Sequence, residues 1–342
     1  MNNEQDSYYS DMTRISNSEI GWFLKKGPKY LHDMLTGKAD GDKGPQLARG
    51  TMIHEYLLQP EQFSKDYVVW DKPKPSSDKQ EKFVQELINS TEIEPNKAII
   101  EAYKKCYSIV GKTDDKMLSE GLKIASTLKD YIEFKKTDNR IMITQWQSNQ
   151  LMQIAENIQK HKLASKLLKN EYVSQEDELH HEFHINWEYT FKNASIFIGS
   201  DDVYDITIDC KSLLDSVHFD FKNHICTLMD LKTTVHVYGF EESMKQYDYL
   251  RQLCYYKMAL MWYLERNLNE NIKDWSFKYY IIGIDTNTTE IRVFEFENID
   301  VMSRYKTIVS SLFQIKWHQE TGKWDHYKSY YDGDGAEKLK IC

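Results

Sequence analysis

The sequence is poor in the residues and segments that mark several protein classes. Only 6 prolines and 14 glycines occur among 342 residues, which excludes a collagen-like or linker-dominated chain. The 5 cysteines are scattered without any CxxC pair, which argues against a disulfide scaffold or a zinc ribbon and fits a reducing cytoplasm. No stretch approaches the roughly 18 apolar residues of a membrane-spanning helix, and residues 1–12 lack the basic and apolar regions of a secretory signal. We therefore expect a cytoplasmic protein with no membrane contact.

The remaining composition is that of an ordinary globular chain with an acidic balance. Hydrophobic residues make up 41% of the chain and charged residues 28%, enough to bury a substantial core. The length allows either one large domain with insertions or two smaller lobes. The net charge of −9 by itself counts against a nucleic-acid partner, because domains that bind phosphate are commonly basic.

The hydrophobic pattern changes its period near residue 170. Before that point apolar residues mostly recur at helical spacing, and after it they alternate as in strands. We predict strands at residues 179–189, 195–209, 224–233, 277–284 and 290–296, and helices at residues 240–266 and 302–319. This order predicts an α/β (α+β) fold, in which a central mixed sheet flanked by helices follows a helical N-terminal lobe. We place the lobe at residues 1–172 and the core at residues 173–342, and expect them to form one compact unit.

Two of these strands carry charged residues that need an explanation. In the second, alternation places Asp202 among apolar neighbours and Asp201 on the polar face, and a carboxylate on an apolar face needs a partner or a metal. In the third, Asp230 and Lys232 project from the same face. If the strands are neighbours, two carboxylates and an ammonium meet at one sheet edge, an arrangement suited to Mg²⁺ or Mn²⁺ and to hydrolysis of a phosphodiester. Residues 211–223, between these strands, are expected to form an extended hairpin or loop.

The helix that follows offers two further polar groups. Gln252 and Tyr256 are i, i+4 neighbours, so both can point at the same site. A purely structural interpretation stays open, since Tyr249, Leu253 and Tyr256 also belong to a packing stripe. An Asp-x-Lys pair alone is equally consistent with a surface ion pair at a strand end.

The ordered motifs resemble those of a known family. Gly199-x-x-Asp202, Asp230-Leu-Lys232-Thr-Thr and Gln252-x-x-x-Tyr256 resemble the motif set of PD-(D/E)XK nucleases of RecB type. The segments Ile15-Ser-Asn-Ser and Arg49-Gly-Thr-Met-Ile-His resemble the opening of the exonuclease VIII-like (RecE-like) proteins of phages and prophages. The resemblance extends over nearly the whole chain and implies a restriction-endonuclease-like core.

The resemblance implies a metal site. Asp202 and Asp230 would hold Mg²⁺, with Mn²⁺ as a substitute, and the Leu231 carbonyl would be a further ligand. His54 would add or orient a metal contact from the N-terminal lobe. Glu182 is expected as an additional acidic contact.

The resemblance also implies roles for the other polar residues. Lys232 would activate or position the attacking water, and Gln252 and Tyr256 would support the lysine or hold the scissile phosphate. Three lysines near the N-terminus are expected to contact the DNA backbone: Lys25, Lys26 and Lys29.

The implied activity is a Mg²⁺-dependent exodeoxyribonuclease. It would resect linear double-stranded DNA ends from 5′ to 3′ for phage-type recombination, leaving a 3′ strand for a single-strand annealing recombinase. The family allows a homo-oligomer, and a phage-encoded protein would act in the cytoplasm of its bacterial host. The alternatives are a structure-specific or single-strand endonuclease on the same fold, a catalytically silent DNA-binding subunit, and an interaction protein without a nucleic-acid role. The charge of −9 then predicts DNA binding that is local and dependent on a divalent cation.

Overall fold

A computed structural model describes residues 3–41, 44–168, 177–196 and 203–335. The chain divides into two compact units, one formed by residues 1–62 with 150–342 and the other by residues 63–149. The expected boundary between residues 172 and 173 lies outside the described residues and stays a prediction. In the described part of the chain, no helix is both long and apolar enough to cross a membrane.

The first unit begins with helices. They are α1 (Asn3–Ser10), α2 (Asn17–Leu35), α3 (Pro45–Leu58) and α4 (Pro60–Asp66). Helix α2 begins at a capping box, in which the Ser16 side chain accepts from the Ser18 amide and the Glu19 carboxylate accepts from the Ser16 amide. Gly27, with a φ of 87°, kinks the helix just before Pro28.

The second unit is a small helical assembly with cores of its own. Its elements are β1 (Tyr67–Val69), α5 (Asp78–Ile88), α6 (Pro95–Cys106), α7 (Asp114–Thr127), α8 (Lys129–Thr137) and β2 (Ile141–Ile143). Strands β1 and β2 pair in parallel. Phe83 and Met117 lie in one buried cluster, and Val84 and Tyr131 lie in another.

The rest of the chain forms the main sheet and the helices around it. The elements are α9 (Gln145–Lys160), α10 (Lys162–Leu168), β3 (Asp177–Ala194), β4 (Tyr204–Asp220), β5 (Ile225–Thr234), α11 (Phe240–Tyr247), α12 (Tyr249–Arg266), β6 (Ser276–Asp285), β7 (Ile291–Phe296), α13 (Asn298–Met302), α14 (Tyr305–Thr321) and α15 (Lys328–Asp332). The strand order is β3-β4-β5-β6-β7, with β5 and β6 parallel and the other neighbours antiparallel. This mixed five-stranded sheet flanked by helices confirms the predicted α/β (α+β) class.

Strand β4 corrects one expectation from the sequence. Residues 211–223 do not form an extended hairpin or loop, because β4 continues through Lys211 to Asp220 and only a short turn follows. Leu214, Val217 and Phe219 in this stretch are completely buried, and no glycine or proline interrupts it. Among the described residues the strand begins at Tyr204, and positions 197–202 of the predicted strand lie outside the described part of the chain.

The pairing of β4 with β5 covers only part of both strands. It runs from Asp220 opposite Ile225 to Ser216 opposite Met229 and stops there, while β4 stays paired with β3. Nearer the N-terminal end of β4, the Ile15 backbone hydrogen-bonds to the strand in place of β5. It donates to Asp209 O at 3.0 Å and accepts from Lys211 N at 2.9 Å.

The main hydrophobic core lies between the sheet and its covering helices. Helix α12 packs on β3 and β4, and α2 and α14 pack on α12. Leu253, Tyr255 and Leu260 of α12 are essentially inaccessible to solvent in this core. Helix α3 contacts β4 and β5, the two strands whose pairing ends early. The fold therefore brings α3 to the point where these strands separate.

Candidate active site

An ion pair lies on β5 beyond the point where β4 separates. The Lys232 ammonium contacts the Asp230 carboxylate, and it also donates to the Leu231 carbonyl at 3.4 Å. Asp230 is only 1% exposed. Burial raises the pKa of Asp230 to about 6, even though the Lys232 charge opposes that rise.

Asp215 on β4 is the nearest acidic neighbour of this pair along the register. Ser216 lies opposite Met229, so Asp215 is in register with Asp230, although the backbone ladder has already ended. The Asp215 carboxylate instead accepts a hydrogen bond from the Leu231 amide at 2.6 Å. Burial raises the pKa of Asp215, against the opposing effects of Lys232 and of the Leu231 hydrogen bond. The buried Asp230 carboxylate and the largely buried Asp215 carboxylate are thus both influenced by a single ammonium.

His54 on α3 reaches the same place. Its Nδ1 lies 3.5 Å from Asp215 Oδ2. Burial and, after it, the Lys232 charge lower the pKa of His54 to about 4. The imidazole is therefore neutral at physiological pH, which is the form that binds a metal.

A glycine one turn earlier on α3 allows this approach. A Cβ on Gly50 would lie 3.1 Å from Thr233 Oγ1 on β5. The absence of a side chain at Gly50 therefore lets the helix lie close to the strand that carries Asp230 and Lys232. His54 follows four residues later, near the same helix face.

Glu182 on β3 completes the acidic cluster. His181 pairs with Ser216 and Phe183 with Leu214, so Glu182 lies opposite Asp215. Its φ of 50° is in the left-handed region, which is rare for a residue with a side chain, especially within a strand. His54, Glu182 and Asp215 each offer a ligand atom, and these atoms lie within 4.8 Å of one another.

Gln252 connects Asp230 to Tyr256. Gln252 Nε2 donates to Asp230 Oδ1 at 3.1 Å and to the Tyr256 hydroxyl at 2.9 Å. Burial raises the pKa of Tyr256 well above its usual value, so its hydroxyl stays neutral. Gln252 therefore orients the Asp230 carboxylate, and Tyr256 fixes the position of Gln252.

Tyr249 belongs to the site as well, although the sequence pattern indicated only a packing role. Lys232 Nζ lies 5.1 Å from the centre of the Tyr249 ring. Burial raises the pKa of Tyr249 to about 12, with the Lys232 charge opposing. The ring thus lies beside the ammonium as a cation–π partner.

The structure gives no position for two of the residues named from the sequence and places three lysines on α2. Asp202, expected to hold the metal, lies outside the described residues, as does Asp201. Lys25, Lys26 and Lys29 are exposed on α2. Lys25 donates to Gln246 O at 2.7 Å, and Lys26 donates to the Tyr30 hydroxyl at 3.1 Å.

Asp215 is the functional candidate that reading the sequence missed. Asp202 was selected because it is a carboxylate among apolar neighbours on one strand face. Asp215 meets the same criterion, since Leu213 and Val217, two residues to either side, are buried hydrophobic residues. The predicted strand ended at Asp209, so Asp215 fell in a predicted hairpin or loop, where strand alternation was not considered. A strand extended to Asp220 would have placed a carboxylate on an apolar face next to the Asp230 strand.

The donors of the site fit a divalent cation. His54, Glu182 and Asp215 form the cluster itself, and the Leu231 carbonyl and the Asp230 carboxylate lie on the neighbouring strand β5, whose Leu231 amide donates to Asp215. A set dominated by oxygen suits Mg²⁺ or Mn²⁺. Burial raises the pKa values of Asp215 and Asp230 and so disfavours their ionised forms, a cost that a bound cation would offset.

Comparison with known proteins gives a distant structural likeness. No family model and no curated protein matches the sequence. A solved crystal structure from Eubacterium rectale, described as a "Putative exonuclease", is similar with a TM-score of 0.46 and 12% sequence identity. The alignment covers 92% of this chain and 87% of that one. At this level of similarity, function has to be inferred from the residues of the site themselves.

Proposed function

We propose that this protein is a metal-dependent deoxyribonuclease that hydrolyses phosphodiester bonds at the ends of linear duplex DNA. The observation that carries the proposal is the set of acidic side chains on three adjacent strands, Glu182, Asp215 and Asp230, with Lys232 paired to the last of them. The ordered sequence motifs that resemble PD-(D/E)XK nucleases of RecB type support the same chemistry.

The metal would be held by His54, Glu182 and Asp215, with Asp230 and the Leu231 carbonyl as further ligands. A bound Mg²⁺ or Mn²⁺ would supply positive charge that polarises the phosphoryl group and lowers the pKa of the attacking water. Neutral His54 contributes a lone pair without adding positive charge of its own.

Lys232 contributes a fixed positive charge. Burial alone would lower its pKa, but Asp230 and Asp215 reverse this effect, and the pKa of Lys232 is raised. It is therefore an ammonium at neutral pH, which can donate hydrogen bonds to the attacking water or to a phosphate oxygen. We assign it to positioning the nucleophile and stabilising developing negative charge, rather than to accepting a proton.

The finer features of the proposal follow from the family resemblance. We propose exonucleolytic resection from 5′ to 3′, with Mg²⁺ as the cofactor and Mn²⁺ as a substitute. The product would be a 3′ single strand for an annealing recombinase in the cytoplasm of a bacterial host, with a homo-oligomer as the working form. The net charge of −9 supports DNA binding that is local and depends on a divalent cation.

A cleavage assay with two DNA topologies tests this proposal. Purified protein is incubated with linear duplex DNA or a covalently closed circle, in Mg²⁺, in Mn²⁺ or with a chelator. We expect degradation of the linear duplex alone, dependent on the metal, and end-labelled strands report the polarity. Intact linear DNA in both metals would refute the proposal, and equal cleavage of the circle would support an endonuclease instead.

Two lysine variants make the assay specific to the site. Lys232→Ala should reduce cleavage by at least about 100-fold while remaining folded, because it removes one preorganised charge from the reaction centre. The matched control is Lys192→Ala, which removes a surface lysine paired with Asp205 on the same sheet. The control should cleave DNA like the wild type.

A further inference from the structure

Four aromatic rings form a column from the core to the surface beside Lys232. Phe294 stacks on Phe240 (4.7 Å between ring centres, 6° between planes), Phe240 on Tyr249 (5.8 Å, 26°) and Tyr249 on Tyr247 (5.7 Å, 18°). Phe240 is 2% exposed and Tyr247 is 51% exposed. The column therefore ends in a tyrosine that is open to solvent and backed by the ring that contacts Lys232.

The residue between the two tyrosines has a backbone conformation that is costly for a side chain. Asp248 has φ 51° and ψ 55° at the junction of α11 and α12. Its carboxylate is held by Arg304 Nε at 2.7 Å and lies 3.6 Å from Arg251 Nε. A left-handed residue ends the regular helical path, and here it accompanies the stacked arrangement of the rings before and after it. Such strain persists where the surroundings hold it and is common at ligand sites.

A lysine accompanies the exposed end of the column. Lys25 Nζ lies 5.6 Å from the centre of the Tyr247 ring and donates to the neighbouring Gln246 carbonyl. The two lysines and two tyrosines thus follow one another as Lys232, Tyr249, Tyr247 and Lys25. Stacked rings with a lysine at each end match a nucleic-acid strand, because its bases stack on aromatic rings and its phosphates pair with cations.

We infer that Tyr247 and Lys25 form a nucleotide subsite next to the reaction centre, which rests on the nuclease activity proposed above. The Tyr247 ring stacks on an unpaired base, and the Lys25 ammonium moves from the Gln246 carbonyl to the adjoining backbone phosphate. The ring is held in advance by Tyr249 and by the Asp248 junction, so little conformational entropy is lost when the base binds.

The ligand of this subsite is a single strand. Inside a duplex both faces of a base are covered by its neighbours, whereas an unpaired or frayed terminal base has a free face for an aromatic ring. The subsite therefore implies that the end of the strand leaves its complement before or during cleavage.

Binding of a single-stranded oligonucleotide tests the subsite without turnover. The oligonucleotide carries 2-aminopurine at its terminal position, and Ca²⁺ replaces Mg²⁺ so that cleavage does not interfere. Anisotropy reports affinity, and quenching of 2-aminopurine reports stacking. Tyr247→Ala should weaken binding by about tenfold and abolish the quenching, whereas Tyr247→Phe, which keeps the ring, should behave like the wild type.

Further variants separate the proposed contacts from general effects. Lys25→Ala should lower the slope of log affinity against log salt by about 0.7, the value for one phosphate contact on a single strand. Tyr247→Trp should bind at least as tightly as the wild type, a result that a misfolded variant would not give. Tyr204→Ala is the matched control, because Tyr204 is also 51% exposed but lies at the far end of β4 from Asp215.

The outcomes distinguish this inference from the proposed activity. Wild-type affinity and quenching in Tyr247→Ala would overturn the subsite, and cleavage by the wild-type enzyme would leave the nuclease proposal intact. An equal loss of binding in Tyr204→Ala would also overturn it. A wild-type protein that neither binds nor cleaves DNA would overturn both. In turnover assays, Tyr247→Ala should raise KM by about tenfold and leave kcat nearly unchanged.

Discussion

The Asp215 carboxylate accepts a hydrogen bond from the Leu231 amide at 2.6 Å, just beyond the last backbone pair of β4 with β5, Ser216 with Met229. A side chain thus takes the place of a backbone carbonyl as the partner of a strand amide. This substitution orients an acid of one strand toward the Asp-x-Lys strand beside it. The same separation of the strands leaves the room that α3 occupies with His54.

Removing the Asp215 charge should abolish function without harming the fold. In Asp215→Asn the amide oxygen can still accept from Leu231, so the strand contact persists. We expect at least about a 100-fold loss of cleavage and weaker Mn²⁺ binding in calorimetry. The metal-free variant should be more stable than the wild type at pH 8, because burial raises the pKa of Asp215 and the ionised form is disfavoured. Asp209→Asn, an exposed position on the same strand, is the control and should change neither property.

Replacing Glu182 by glycine should increase stability and weaken metal binding. Its φ is 50°, so Glu182→Gly should raise the unfolding free energy by about 1 kcal/mol in a denaturant titration. The same change should weaken Mn²⁺ binding, because it removes a carboxylate of the cluster. Asn193→Gly, on the same strand with a φ of 47°, should leave metal affinity unchanged. Undiminished Mn²⁺ affinity in Glu182→Gly would exclude Glu182 as a ligand.

The close approach of α3 to β5 can be tested by a double-mutant cycle. A Cβ at position 50 would lie 3.1 Å from Thr233 Oγ1, so Gly50→Ala should push the helix away and shift His54. We expect about a tenfold loss of Mn²⁺ affinity, comparable to the loss of a group that orients a ligand. Thr233→Ala removes the obstructing oxygen, and Gly50→Ala combined with Thr233→Ala should recover most of the affinity. Equal affinities of the single and the double variant would contradict this explanation.

His318 should make the stability of the protein depend on pH. The ring is completely buried, its Nδ1 donates to the Lys323 carbonyl, and its Nε2 has no hydrogen-bond partner among the described residues. Burial lowers the pKa of His318, and the nearby Lys328 charge acts in the same direction. Because the folded-state pKa lies below the unfolded value of about 6.5, the stabilisation is complete above that pH and is lost as the pH falls below it.

The quantity to measure is the slope of the unfolding free energy against pH, rather than the unfolding free energy at a single pH. Denaturant titrations at pH 7 and pH 5 should show the wild type losing up to about 1.4 kcal/mol per pH unit through this residue. His318→Phe keeps a ring against Trp324, which stacks on His318 at 5.1 Å, and should have a shallower slope. An unchanged slope would show that His318 does not titrate in this range.

Much of the site could be read from residue spacing. Asp230 and Lys232 share a strand face, and Gln252 and Tyr256 share a helix face, because these separations match the two backbone periods. The structure brings all four into contact. Local geometry was sufficient for these pairs, since each is set by a single element.

Tyr247 and Tyr249 show the limit of periodicity. They are two residues apart, a spacing that directs side chains away from each other on one helix. Their rings stack because Asp248, a left-handed residue held by Arg304, interrupts the helical spacing between them. Neither this conformation nor the arginine contact has a signature in the spacing.

By itself the sequence determined the order of the elements, the mixed α/β class and the pairing of Asp230 with Lys232, because hydrophobic period and side-chain alternation are local properties of the chain. Only the tertiary structure decided that Asp215 faces Asp230, that Glu182 lies opposite Asp215 and that His54 reaches both strands. These relationships depend on where β4 ends its pairing with β5 and on how closely α3 approaches. Strand register and helix packing are set by contacts between residues far apart in the chain, which periodicity does not encode.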